Sequence, residues 1–208
     1  MDHRLVTSAQ ITPRLECQGF EAGDIVLPSF KLHAGESLCL HVEHGHLPWY
    51  ETLLPLLKGE VIHSGLRIHG VVRYLERPMP ARGWFGRRKD LSARDWLVLE
   101  KHVPLKAALA ILDCVHIPQD LRIGWMGWNE RTMLALEFNL FDPPDVLLFD
   151  TGGNDPLGVL RVFDRLATRP KTLTLVYLKY INGPGSPCLV GGQCLDVAAR
   201  PTEAALVE

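Results

Sequence analysis

Apolar and polar positions divide this chain into short segments with two distinct periods. Residues 4–11 and 24–32 read as strands, and Ser37–Val42 (SLCLHV) is a short apolar strand after a turn at Ala34–Gly35. Trp49–Leu57 has helical spacing, although Pro55 lacks a backbone donor and clashes with the preceding turn. Residues 66–75 (LRIHGVVRYL) return to strand character, and Pro78–Lys89 (PMPARGWFGRRK) is a loop by its Pro, Gly and charge content. Ser92 then caps a helix, SARDWLVLEKH, with an acidic residue three positions on at Asp95. A second helix, 105–114, follows Pro104, and Asn129–Phe141 forms a third. Asp145–Asp150 (DVLLFD) is a buried strand bounded by turn residues, Pro156–Ala167 is helical, and Thr172–Leu178 (TLTLVYL) is another β-type run. Helices alternating with apolar strands predict an α/β fold with a largely parallel sheet. Residues 196–208 read as a loose tail. Neither an internal repeat nor a linker divides the chain, so residues 1–208 are expected to form one domain.

Composition narrows the possibilities without naming a chemistry. At 208 residues and 47% apolar, the chain has the proportions of one soluble globular domain. Its 22 basic and 24 acidic residues nearly cancel, which gives no electrostatic footprint for nucleic acid. No apolar run approaches the ~18 residues of a membrane span, and MDHRLVTSAQ lacks the apolar core of a signal peptide. A cytoplasmic chain is expected. The five cysteines (17, 39, 114, 188 and 194) are scattered and have no CxxC spacing, so they read as reduced thiols with neither a disulfide framework nor a zinc site.

Seven stretches, in order, resemble the ATP-binding cassette (ABC) ATPase family, the engine subunits of ABC transporters. HAGESLCLHV resembles the family's strand leading into the phosphate loop, TLLPLLKGE the helix after that loop, and SGLRIHG the strand that follows. LSARDWLVLE sits where the family usually has a "TVxENL" helix start. Met126–Asp150 (MGWNERTMLALEFNLFDPPDVLLFD) resembles, without a gap, the span from the LSGGQ signature to the Walker B aspartate. DTGGNDP and TLTLVYLKY resemble the two segments that come next. The resemblance covers most of residues 15–180. It implies an α/β, P-loop-NTPase-like (ABC ATPase) core with a small β-rich N-terminal lobe and a helical subdomain at 78–130.

The same alignment removes most of the chemistry that the family uses. Hydrolysis requires a glycine-rich loop around the phosphates, a lysine on their oxygens, and a Ser/Thr and an aspartate on Mg²⁺. Placing Thr52 at the last residue of that loop motif puts His44, Leu47 and Trp49 at its three glycines. Tyr50 then replaces the lysine and Glu51 the magnesium-binding hydroxyl. Bulky side chains there block backbone approach to phosphate, and Glu51 repels it. No lysine lies between Lys31 and Lys58, so no shift of register restores one. Glu76 is the nearest stand-in for the family's glutamine, Thr151 occupies the catalytic glutamate position, and Leu178 or Lys179 that of the switch histidine.

The signature segment is altered too: it reads Met126, Gly127, Trp128, Asn129, Glu130. In the family this segment presents its amides to ATP held by a second cassette. Here Trp128 is too large for that approach and Glu130 adds unfavourable charge. Asp150 and Thr52 remain as vestigial magnesium positions, and Phe20 lies where the family stacks an aromatic on adenine. Stacking alone, on the order of 1–2 kcal/mol, leaves affinity in the millimolar range or weaker. No cofactor is therefore expected, with ATP and magnesium retained only as vestigial ligands.

The expectation is a non-catalytic subunit of a membrane ABC transport complex, peripheral on the cytoplasmic face. The resemblance implies as partners a permease and a second cassette, either this chain again or an active paralogue. A scaffold or regulatory protein that uses the fold without a transporter is the alternative. A third possibility, an enzyme with re-invented chemistry, would draw on Asp150, Glu51 and the histidines of HVEHGH (41–46). Those histidines read as structural, because no third or fourth ligand is marked. Trp84 and Phe85, with Arg87, Arg88 and Lys89, fit nucleic-acid stacking, a membrane surface, a permease contact or a solvated loop tip. Gly152–Gly153 reads as a tight turn rather than a phosphate cradle.

Overall fold

The structure, a computed structural model, describes residues 12–42, 48–80, 90–180 and 192–199. Eight strands form one sheet: β1 (Leu15–Ala22), β2 (Ile25–Leu32), β3 (Ser37–Val42), β4 (Leu66–Ile68), β5 (Val72–Tyr74), β6 (Val146–Phe149), β7 (Thr174–Tyr180) and β8 (Gln193–Ala199). Their order is β4-β1-β2-β8-β3-β7-β6-β5. The half from β8 to β5 is parallel, and the half from β4 to β2 is antiparallel. β8 joins them, pairing parallel with β3 and antiparallel with β2. The helices are α1 (Pro48–Lys58), α2 (Ala93–Asp95, continued by a π-helical turn Trp96–Glu100), α3 (Leu105–Cys114), α4 (Trp128–Phe141) and α5 (Pro156–Ala167).

The parallel strands read as continuous apolar runs because both of their faces are covered. In β6, Val146 and Leu148 enter one core with Leu38, Leu40, Val176 and the α1 leucines. Leu147 and Phe149 enter a second core with Leu175, Tyr177 and residues of α2 to α5. The expected helical subdomain at 78–130 contains α2, α3 and a 3₁₀ turn at Ile123–Trp125. Its buried Trp96, Leu97 and Ile123 share the second core, so it is packed into the domain. Ser92 caps α2 as expected, accepting the Asp95 N–H at 3.1 Å. Helices α4 and α5 are clamped by a bidentate pair between the buried Glu137 and Arg165, whose second contact is 2.9 Å. That carboxylate raises the Arg165 guanidinium above its ordinary pKa.

Two readings of the sequence, the strand at 66–75 and the tail at 196–208, are corrected by these elements, while the helix read over Trp49–Leu57 is borne out and one strand is added. The single strand expected over 66–75 is two strands on opposite edges of the sheet, with Gly70 (φ 113°) between them. Helix α1 continues through Pro55. Burial of Leu53, Leu54, Leu56 and Leu57, about 1.5–3 kcal/mol each, outweighs the ~3 kcal/mol cost of an internal proline. The loose tail was expected from residue 196, but 196–199 complete β8 and Val197 is buried. β1 escaped notice because much of it is polar and exposed. The expected strand at 4–11, most of the HVEHGH histidines, and Trp84 to Lys89 lie outside the described residues.

The turn before β3 offers a stability test. Gly35 adopts φ 83°, and a Cβ there would lie 2.0 Å from the Lys171 backbone oxygen. Gly59 is also left-handed (φ 75°), but its nearest neighbour would be Ile68 Cδ1 at 3.3 Å. Gly35→Ala is expected to cost about 2 kcal/mol or more, and Gly59→Ala about 1 kcal/mol. Urea denaturation of both variants against the parent checks the size and the order.

Candidate functional site

The carboxyl ends of parallel strands are where open α/β sheets place ligands. Here the ends of β5 and β6 bring Tyr74, Glu76, Arg77 and Asp150 together. With Met79, Trp128 and Gly152 they line an open cleft of about 560 Å³. Three residues singled out from sequence, Glu76, Trp128 and Asp150, thus meet in one place. Tyr74 and Arg77 were missed. Arg77 stands directly after Glu76 in the chain, but nothing in the local pattern marks it as the partner of a residue 73 positions away.

Asp150 is buried, and its carboxylate is committed within the chain. Oδ1 accepts from Arg77 NH2 at 2.9 Å and from the Gly152 N–H at 2.7 Å. Oδ2 accepts from the Tyr74 hydroxyl. Arg77 NH2 also donates to the Asp150 carbonyl at 2.8 Å, and Arg77 Nε to Thr132 Oγ1 at 2.9 Å. The two ionised side chains are only 9% and 6% exposed. Of the four or so lone-pair positions on a carboxylate, three are filled, and the charge is balanced by a guanidinium. A divalent ion brought to Asp150 meets that guanidinium at close range. At 4 Å and an effective dielectric constant of 20, the repulsion is on the order of 4 kcal/mol per unit charge.

Trp128 completes the same arrangement. Its Nε1–H donates to the Gly152 carbonyl at 2.5 Å, and the Arg77 guanidinium lies over its ring at 5.2 Å. Gly153 (φ 78°) lets the indole approach, since a Cβ there would be 2.5 Å from Trp128 Nε1. The Gly152–Gly153 pair is therefore a turn shaped to hold Trp128. The neighbouring signature positions are also occupied from within. Met126 is buried, Gly127 donates its N–H to Glu130 Oε2 at 2.6 Å, and Asn129 Nδ2 donates to Asp155 Oδ2 at 2.8 Å. The Gly158 N–H and Asn129 contacts hold the Asp155 carboxyl below its ordinary pKa.

The remaining candidate positions are dispersed. Phe20 stacks on His63 at 3.8 Å in the antiparallel half of the sheet. Thr52 lies beside Gly23 in the turn between β1 and β2, about 3.8 Å from where a Cβ would stand. Glu51 is exposed in the first turn of α1, and Trp49 and Tyr50 fall in the same turn. His44 and Leu47 lie outside the described residues. Thr151 Oγ1 pairs with the Tyr177 hydroxyl at 2.9 Å, and Lys179 is buried near the end of β7. Glu76 is exposed and reaches Lys58 and Lys101, each at 3.9 Å. Glu51 does not line the cleft around Asp150, so the grouping needed for re-invented acid–base chemistry is absent among the described residues.

The Arg77–Asp150 pair should behave as a buried ion pair. Arg77→Ala leaves a buried carboxylate uncompensated and is expected to destabilise the chain by about 3–5 kcal/mol. Adding Asp150→Asn should recover more than half of that loss. A urea-denaturation double-mutant cycle measures both.

Comparison with known proteins bears on the fold. No protein-family model matches the chain, and no curated protein sequence matches it. Solved structures do. A nucleotide-free ATP-binding cassette from an ABC transporter superposes with a TM-score of 0.61 at 11% identity, covering 82% of each chain. An ABC transporter of metal-chelate type, in an inward-facing conformation, gives 0.60 at 16% identity over 81% of this chain and 73% of that one. The protein cbiO1 of Clostridium perfringens, part of the ABC transporter complex cbiONQ, gives 0.56 at 13% identity over 80% and 78%. With its mixed sheet, its helical segment and the order of its elements, the chain has the fold of the ABC transporter ATPase domain.

Proposed function

We propose that this chain is a non-catalytic, nucleotide-binding-domain-like subunit of a membrane ABC transport complex, docking on a permease. The observation that carries the reading is the Arg77–Asp150 pair. The aspartate aligned with the family's magnesium ligand is neutralised by a guanidinium and capped by Tyr74 and the Gly152 N–H. Magnesium and a nucleoside triphosphate do not fit these residues, and no hydrolytic step is derived through them. The absence of a lysine between Lys31 and Lys58 supports the same reading. So does the placement of Trp128, which fills the signature position and is held by the chain's own Gly152–Gly153 turn.

A role in docking draws on the exposed apolar residues of the helical segment. Leu99, Leu105 and Trp125 are more than half exposed, Trp125 at 77%. Contiguous exposed apolar patches mark protein contact sites, and these three side chains are the candidates for one here. No helix among the described residues is long and apolar enough to cross a membrane. In the structural neighbour cbiO1 the cassette is part of a complex, and a permease with a second cassette is the corresponding partner set here.

Two measurements test the reading. The purified chain is expected to release phosphate from ATP no faster than buffer, with no saturable binding of a fluorescent ATP analogue below about 1 mM. Tagged chain captured from detergent-solubilised native membranes is expected to carry a polytopic membrane protein with it. Low-micromolar nucleotide affinity with turnover would overturn the non-catalytic assignment. Recovery with soluble partners only would overturn the transport assignment and favour a scaffold.

A further inference from the structure

Away from the cleft, two parallel strands bring together donor atoms that are far apart in the sequence. Cys39 on β3 stands opposite Cys194 on β8, and two residues on, His41 stands opposite Asp196. Side chains two residues apart on a strand share a face, and neighbouring strands are about 4.8 Å apart. The four side chains therefore occupy the corners of a small rectangle on one face of the sheet. One donor atom each from Cys39, His41 and Cys194 lie within 4.8 Å of one another. Two thiolates bound tetrahedrally to one zinc ion, each at about 2.3 Å, are roughly 3.8 Å apart, so rotamer-scale adjustment closes the set.

We propose that Cys39, His41 and Cys194 form a zinc site, with Asp196 as the carboxylate that orients the imidazole. The donor chemistry is the first argument. Two thiolates and one imidazole are a borderline-soft set that suits zinc and does not suit magnesium or calcium. The second argument is the outer partner. His41 Nδ1 meets Asp196 Oδ1 at 3.2 Å, and a metal-bound histidine commonly carries such a carboxylate on its other ring nitrogen. In that arrangement Nε2 takes the metal and Nδ1–H donates to Asp196. The third argument is charge. Zinc with two thiolates and a neutral imidazole is uncharged, and Asp196 and the buried Lys179, the β7 neighbour of His41, then offset each other. Cys39 is fully buried while Cys194 is exposed, so the metal would sit at the edge of the core with its fourth position towards solvent. Spacing could not mark this site, because its two strands are about 155 residues apart in sequence.

The site is independent of the proposed transport role and has its own test. The 208-residue chain, reduced and metal-free, is titrated with zinc against a chromogenic chelator, with metal content measured by mass spectrometry. One zinc per chain is expected, and cobalt substitution should give a thiolate-to-metal charge-transfer band. Asp196→Asn should weaken zinc about 10–100-fold, and Cys194→Ser and His41→Ala by more. Cys114→Ser, an exposed thiol outside the set, should leave binding unchanged. The proposal is overturned if the reduced chain binds no stoichiometric zinc or if the three site variants bind as the parent does. A Cys39–Cys194 disulfide in chain isolated without added oxidant would also overturn it.

Discussion

At the carboxyl end of β6 a carboxylate and a guanidinium are both withdrawn from water, and the surrounding architecture is arranged to make that tolerable. Removing two such charges from solvent costs several kcal/mol each unless their hydrogen bonds are replaced in good geometry. Here Asp150 is met by Arg77, Tyr74 and the Gly152 amide, and Arg77 in turn by Thr132 and the face of Trp128. These groups come from parts of the chain far apart in sequence: Tyr74 and Arg77 from the end of β5 and the segment after it, Trp128 and Thr132 from the first turns of α4, and Gly152 from the turn after β6. The ion pair thus fixes how the helical half of the domain is tied to its sheet.

That arrangement bears on function through what it occupies. The end of β6 and the start of α4 face each other. Trp128 reaches its own chain's Gly152 carbonyl, and Asn129 reaches Asp155, the cap of α5. On the proposed reading, groups engaged in this way do not serve a nucleotide shared between two cassettes. The helical segment, by contrast, leaves Leu99, Leu105 and Trp125 exposed.

The metal site lies on the other side of β3 and follows a different logic. It depends on β8, the strand at which the parallel and antiparallel halves of the sheet meet. A cation bridging β3 to β8 would join two strands whose connection runs through most of the chain. Such a link would secure the seam of the sheet without touching the cleft around Asp150.

The parallel core was legible from residue order because strands such as SLCLHV and DVLLFD are buried on both faces, which forces unbroken apolar runs. Helices α3, α4 and α5 were legible because runs of helix-favouring residues and boundary residues such as Pro104 and Pro156 are local features. That no lysine lies between Lys31 and Lys58 was also legible in the sequence alone. The tertiary structure decided which residue answers Asp150. An arginine 73 positions away becomes its partner only when β5 and β6 lie side by side. It likewise split residues 66–75 into strands on opposite edges, and set Cys194 against Cys39. Local pattern records how each segment buries its own side chains, whereas the pairing of distant polar groups depends on strand order, which is settled only when the whole sheet assembles.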